Sequence, residues 1–167
     1  MAEMIRVALD AMGGDNAPVE IVKGAVKAVN SAMIMKSTDE SIATVDAVSI
    51  NLYTAVADFY KSGAAISFIR SGNEIFVIKQ ESLPLGIIRN ISPAHTRVSL
   101  SPGDIILLVS DGVTSEDCGW INDELLSWST NSMEDLASHI SSLASLRSDE
   151  NTKDDITAVA LKISKVK

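Results

Sequence analysis

Two short aspartate motifs have residue types and a spacing that can do chemistry. Ser110-Asp111-Gly112 follows the apolar run Ile105-Ile106-Leu107-Leu108-Val109, and Lys153-Asp154-Asp155-Ile156-Thr157 leads into a second apolar run over 156–163. A third aspartate, Asp10, ends the short run Ile5-Arg6-Val7-Ala8-Leu9 and is followed by the pair Gly13-Gly14. A carboxylate at the end of a core strand is held by rigid backbone, and a glycine such as Gly13 or Gly112 lets a ligand approach the main chain. Three such carboxylates at the ends of three strands can converge on one rim. Hard divalent cations take several oxygen ligands and keep some of their waters. A pair of them clamps a phosphate and yields a hydroxide nucleophile near neutral pH. That chemistry needs no Ser-His-Asp triad. His95 and His139 lack metal-ligand spacing and read as surface or satisfied core residues. A plainer reading stands beside the functional one. Asp-Gly after a strand is a common turn, and Asp-Asp before a strand is often only a loop. The two motifs together, in this order and strand context, carry more weight than either alone.

The elements that must hold these residues follow from periodicity. Residues 5–9 read as a buried strand that runs into the turn 10–17. Pro18 suits a first helical position, and Ile21, Val22, Ala25, Val26 and Val29 repeat at helical spacing, predicting a helix to about Met35. From Ser41 the period is two. Ile42, Thr44, Asp46, Val48, Ile50 and Leu52 alternate with Ala43, Val45, Ala47 and Ser49, which predicts a long strand. A second strand covers 56–60. Residues 66–70 and 75–79 flank Ser71-Gly72-Asn73-Glu74, a hairpin turn. Leu83-Pro84-Leu85-Gly86-Ile87 is a loop with apolar anchors. Residues 95–100 and 104–109 flank the turn Ser101-Pro102-Gly103. Ser132-Met133-Glu134-Asp135 is a capping box of the looser kind. It opens a helix whose stripe is Met133, Leu136, Ala137, Ile140, Leu143 and Ala144. A strand over 156–163 closes the chain. Hairpin-linked strands with segregated helices predict an α+β fold, a largely antiparallel β-sandwich flanked by helices.

Bulk properties narrow the partners. At 167 residues one structural domain is expected, and the length suffices for a real core. Aromatics are only 4%, so that core is mostly Ile, Leu, Val, Ala and Met. The net charge of -8 argues against nucleic-acid binding. The carboxylate excess suits cation binding, though a solvated acidic surface explains most of it equally well. Cys118 is the single cysteine, so no internal disulfide forms, and no role is assigned to it. No apolar run reaches transmembrane length, and the first residues lack the basic and apolar regions of a signal peptide. The expected location is the cytoplasm.

From about Lys36 onward the chain resembles PPM-type (protein phosphatase 2C-like) serine/threonine phosphatases, and most of all the stage II sporulation protein E group. The likeness runs through Thr38-Asp39-Glu40-Ser41-Ile42-Ala43-Thr44-Val45-Asp46, Lys61-Ser62-Gly63-Ala64-Ala65-Ile66-Ser67-Phe68-Ile69-Arg70-Ser71-Gly72 and Leu83-Pro84-Leu85-Gly86-Ile87. It continues through Gly103-Asp104, the strand 105–109 and Ser110-Asp111-Gly112-Val113, and ends in Asp154-Asp155-Ile156-Thr157 and the strand that follows. The resemblance implies a metal-dependent phosphoserine/phosphothreonine hydrolase with two Mn2+ or Mg2+ ions and a bridging water. It implies metal-ligand roles for Asp111 and Asp154. For the sporulation branch it implies a phosphorylated anti-sigma-factor antagonist as substrate.

The opening residues point elsewhere. Ile5 to Pro18, followed by Glu20-Ile21-Val22-Lys23-Gly24-Ala25, look like the start of phosphate acyltransferase, which transfers an acyl group from acyl carrier protein to phosphate in phospholipid synthesis. After about Val29 that likeness is expected to fail. The same residues have a second reading. PPM phosphatases carry Asp-Gly-Met-Gly after a short strand, its Asp bridging both metals, and Asp10-Ala11-Met12-Gly13 matches except that Ala11 replaces the glycine. The chain therefore divides into an acyltransferase-like segment, 1–35, and a phosphatase-like part, 36–167. The favoured reading is a junction of two unrelated sequences, a chimera; the other is a shortened phosphatase. Three functions compete: a phosphatase, weakened or inactive if Asp10 misses the rim; an inactive phosphatase-like fragment that binds or oligomerises; and an acyltransferase-like protein. Strands absent before Asp10 would leave a sheet edge open, favouring a homodimer.

Overall fold

The computed structural model describes residues 19–36, 42–114, 118–148 and 154–164. The expected first strand, with Asp10 and Gly13, lies outside the described residues. Helix α1 (Val19–Lys36) fills the helical expectation. Its Val26 is buried with Leu85 and Ile91, and Met33, Ala43 and Val45 pack around them. Asn30, fully buried, fastens this helix to the loop below. Its amide nitrogen donates to the carbonyls of Ile88 (2.8 Å) and Arg89 (3.2 Å), and its Oδ1 accepts from Gly86 N–H (2.8 Å). A buried side-chain amide is tolerated because its groups are partnered in this way.

Among the described residues, seven strands form two antiparallel sheets. The first contains β1 (Val45–Asn51), β2 (Val56–Ser62) and β5 (Ala94–Ser99), in the order β1-β2-β5. The second contains β3 (Ser67–Ser71), β4 (Glu74–Ile78), β6 (Ile105–Val109) and β7 (Ala158–Lys162), in the order β4-β3-β6-β7. Ala57, Phe59, Ile69, Leu100 and Ile106 fill the space between the sheets. The alternate residues of the second sheet, Phe68, Ile105, Leu107 and Val109, face the other way. They are covered by Ile121 and Leu125 of α3 (Gly119–Ser127) and by Leu136, Ile140 and Ala144 of α4 (Met133–Arg147). This is the antiparallel sandwich flanked by helices that the periodicity predicts. Strand β6 is apolar on both faces because one face meets the other sheet and the other meets helices.

Two features go beyond the sequence reading. The turn at Ser101–Gly103 is present, with Gly103 at φ +102° and Asp104 accepting from Ser101 N–H at 2.7 Å. It does not close a hairpin, however: β5 and β6 lie in different sheets. A strand apolar on both faces has its place in the interior of the larger sheet, whereas β5, with alternating burial, suits an edge. The second feature is the helical run after β6. The short α2 (Asp111–Thr114) is a single turn, and α3 has one buried apolar pair, Ile121 and Leu125, while Cys118 at its N-cap makes no side-chain cap bond, so α3 carries no start signal.

Candidate metal-binding rim

The rim is built where β6 ends and β7 begins. Because these strands pair antiparallel, with Val109 opposite Ala158, the residues after β6 and before β7 meet at one end of the sheet. Ser110 joins them. Its backbone N–H donates to Thr157 O (3.0 Å), its hydroxyl donates to Asp155 O (2.9 Å), and the same hydroxyl accepts from Thr157 N–H (2.9 Å). Gly112 completes the junction. A Cβ at this position would stand 2.6 Å from Asp155 O and 3.3 Å from Asp154 O. The close approach that this glycine permits is that of the chain's own backbone, and Gly112 is buried. The two aspartate motifs, distant in sequence, are thereby packed against each other, with Asp111 and Asp154 on either side of the junction.

The two carboxylates open on neighbouring hollows. Asp111 borders a cleft of about 200 Å³ between the ends of the two sheets, lined also by Thr44, Asp46, Ala65, Ser110 and Thr157. Asp154 borders a shallower hollow against Ser141, Ser142 and Ser145 of α4, and its Oδ1 accepts from Asp155 N–H at 2.8 Å. Both aspartates are exposed. The donors at this rim are carboxylate and carbonyl oxygens, the chemistry a hard divalent cation takes. Among the described residues no group of three or more His, Cys, Asp or Glu is placed to hold an ion, so Asp111 and Asp154 alone do not complete a site. Asp10 and Gly13 lie outside the described residues.

The two histidines have other partners. His95 Nε2 lies 2.6 Å from Asp58 Oδ1, and its ring stacks on Tyr60 at 4.9 Å. His139 Nε2 lies 2.7 Å from Glu124 Oε2, and its ring tilts against Trp128. These contacts tie both rings to acidic and aromatic neighbours rather than to the rim aspartates.

A second polar group at the cleft escaped the sequence reading. Asp46 and Lys61 are direct cross-strand partners on β1 and β2. Lys61 is fully buried, and its Nζ donates to Asp46 Oδ2 (2.7 Å), Ala65 O (2.6 Å) and Ser67 Oγ (2.7 Å). Burial pushes the Lys61 pKa down, and the Asp46 carboxylate opposes that shift. Ser67 Oγ donates to the same Asp46 Oδ2 at 2.8 Å, linking the two sheets. The available signal was phase: Asp46 lies in register with Val48 and Ile50, and Lys61 with Ala57 and Phe59, so each charge falls on an apolar face.

The architecture is that of the PP2C phosphatase domain. A structure of the PP2C phosphatase domain and a fragment of the regulatory domain of the cell fate determinant SpoIIE from Bacillus subtilis aligns with a TM-score of 0.72 and 27% identity, over 85% of this chain and 45% of that one. A second structure of that phosphatase domain, presoaked with Mn, aligns with a TM-score of 0.65 and 26% identity over 99% of this chain and 80% of that one. A family profile described as stage II sporulation protein E (SpoIIE) matches residues 1–164, and the chain belongs to that family. The stage II sporulation protein E of Bacillus subtilis (strain 168) is 28% identical over 148 residues, which span 84% of this chain but only 18% of that protein. A phosphate acyltransferase of Clostridium acetobutylicum is also similar, at 30% identity over 151 residues, 67% of this chain and 44% of that enzyme. That likeness is wider than the expected residues 1–29. The sporulation profile nevertheless takes in the acyltransferase-like opening, and the solved structures named above are phosphatase domains.

Proposed function

We propose that this chain acts as a metal-dependent phosphoserine/phosphothreonine phosphatase domain, with Asp111 and Asp154, joined by Asp10, as the ligands of Mn2+ or Mg2+. The observation that carries this reading is the junction in which Ser110 and Gly112 pack the two aspartate motifs together beside a cleft between the sheets. When bound, the ions would supply charge neutralisation at the phosphate and a water of lowered pKa. The chain's own residues do the positioning. Ser110 fixes the backbone on which Asp155 and Thr157 sit, and the cleft beside Asp111 receives the phosphorylated side chain. A phosphoprotein is the proposed substrate, an anti-sigma-factor antagonist in the sporulation branch, and the cytoplasm the proposed location. Among the described residues no helix is long and apolar enough to cross a membrane.

The test is hydrolysis of p-nitrophenyl phosphate and of a phosphoserine peptide with and without Mn2+. Turnover is expected only with the ion, and Asp111→Asn is expected to abolish it. Equal turnover without metal, or in the variant, would exclude the mechanism. One observation favours a second reading, a phosphatase-like fragment that binds without turnover: the described residues alone supply no complete ligand group. That reading predicts weak Mn2+ binding and no hydrolysis.

A further inference from the structure

We propose that Asp46, locked in place by Lys61 and Ser67, is a positioning residue for a divalent cation held at Asp111. The inference rests on the phosphatase reading and adds a residue to it. Asp46 belongs to the three-stranded sheet and Asp111 follows a strand of the four-stranded one, yet both border the same cleft. One oxygen of Asp46 is fully used: Oδ2 accepts from Lys61 at 2.7 Å and from Ser67 at 2.8 Å. The other, Oδ1, is buried and, among the described residues, has no hydrogen-bond partner. A buried acceptor without a partner calls for a donor from elsewhere, often water. A water of a hydrated cation is such a donor, and the cleft, at about 200 Å³, has room for an ion that keeps several waters.

The lysine does not undo this arrangement. Its three donors are spent on Asp46, Ala65 and Ser67, and it is fully buried, so its charge cannot swing into the cleft. It acts instead as a clamp that fixes the carboxylate's rotamer. Ser67, reaching across from the other sheet, fixes it a second time. Groups that orient a metal's ligands and waters are worth about 10- to 100-fold in metal affinity.

The experiment measures Mn2+ affinity by titration calorimetry and the melting temperature of the metal-free protein, for wild type, Asp46→Asn, Ser67→Ala and Asp111→Asn. An asparagine at 46 can still accept from Lys61 and Ser67, but it places an amide donor where the free acceptor was. Asp46→Asn is expected to weaken Mn2+ binding about 10-fold and to lower the metal-free melting temperature, because it leaves the buried Lys61 without its counter-charge. Ser67→Ala is expected to move affinity in the same direction and by less. Unchanged affinity in Asp46→Asn, with binding lost in Asp111→Asn, would overturn the role of Asp46 and leave the phosphatase reading standing. Absence of Mn2+ binding by the wild type would remove both. Should Asp46→Asn fail to fold, Ser67→Ala decides, because it keeps the Lys61–Asp46 pair: unchanged affinity there overturns the proposal.

Discussion

At the scale of single residues, Gly112 is the position with least freedom. An added methyl would stand 2.6 Å from Asp155 O, a backbone atom that cannot swing aside. Gly112→Ala should therefore destabilise the fold by about 1–3 kcal/mol, the range for inserting a group into a packed site, and should weaken Mn2+ binding by pushing the Asp154 segment away. Thermal melting and calorimetry check the two effects separately. Asp58 offers a test by pH. Burial would raise its pKa, but hydrogen bonds from Arg97 and His95, together with their charges, win and hold the carboxyl below its ordinary 3.8. A lowered folded value means stability that is present above 3.8 and lost as pH falls through the folded pKa. Asp58→Asn should be less stable than wild type at neutral pH, and the gap should close in acid below 3.8; tryptophan fluorescence during acid titration would show it. The motifs around Asp111 and Asp154 marked both as strand-end residues that could share one rim, and the structure packs the two segments together. Asp46 and Lys61 were not singled out: their phase with apolar residues was readable, but their pairing across the strands shows only in the fold.

At the scale of elements, legibility tracked the strength of local signals. Helix α4 begins at a residue that can cap it, and the structure uses it: Ser132 accepts from Asp135 N–H at 3.1 Å. Ser132→Ala should cost about 1 kcal/mol, read as a lower melting temperature without loss of Mn2+ binding, since the cap lies away from the rim contacts. The hairpin at Ser71–Glu74 was equally plain, with Gly72 at φ +59° supplying the backbone that the turn needs. Helix α3 was not legible. It is held from outside its own sequence: Arg70 of β3 donates from one guanidinium nitrogen to the carbonyls of Leu125 and Trp128, both at 2.7 Å, satisfying its C-terminal end. Its own apolar signal is a single pair four residues apart, Ile121 and Leu125, and the residue that satisfies its end lies 55 positions away. The change of sheet between β5 and β6 is of the same kind, since a turn motif shows that the chain bends but not which strand it meets next.

At the scale of the whole molecule, the sandwich has a packed interior and open flanks. Among the described residues β4 pairs only with β3, and its other edge has no strand beside it. Phe76 and Val77 on that strand are 49% and 47% exposed, large apolar side chains on an unpaired edge. Edges of soluble sheets are ordinarily blunted by charge, by proline or by a covering element, and an apolar one pairs readily with another chain. Glu74 is the only charge on β4, and it sits at the start of the strand, next to the turn. The expectation is a homodimer formed edge to edge through β4, with a monomer–dimer equilibrium that depends on concentration. Light scattering over a dilution series would detect it. Phe76→Lys should shift the equilibrium to monomer, because two such strands side by side would bring like charges together, and it should leave Mn2+ affinity unchanged, because β4 lies at the opposite edge of its sheet from β7 and the rim. A wild type that scatters as a monomer at all concentrations would show that this edge is protected, and association would then have no part in how the domain works.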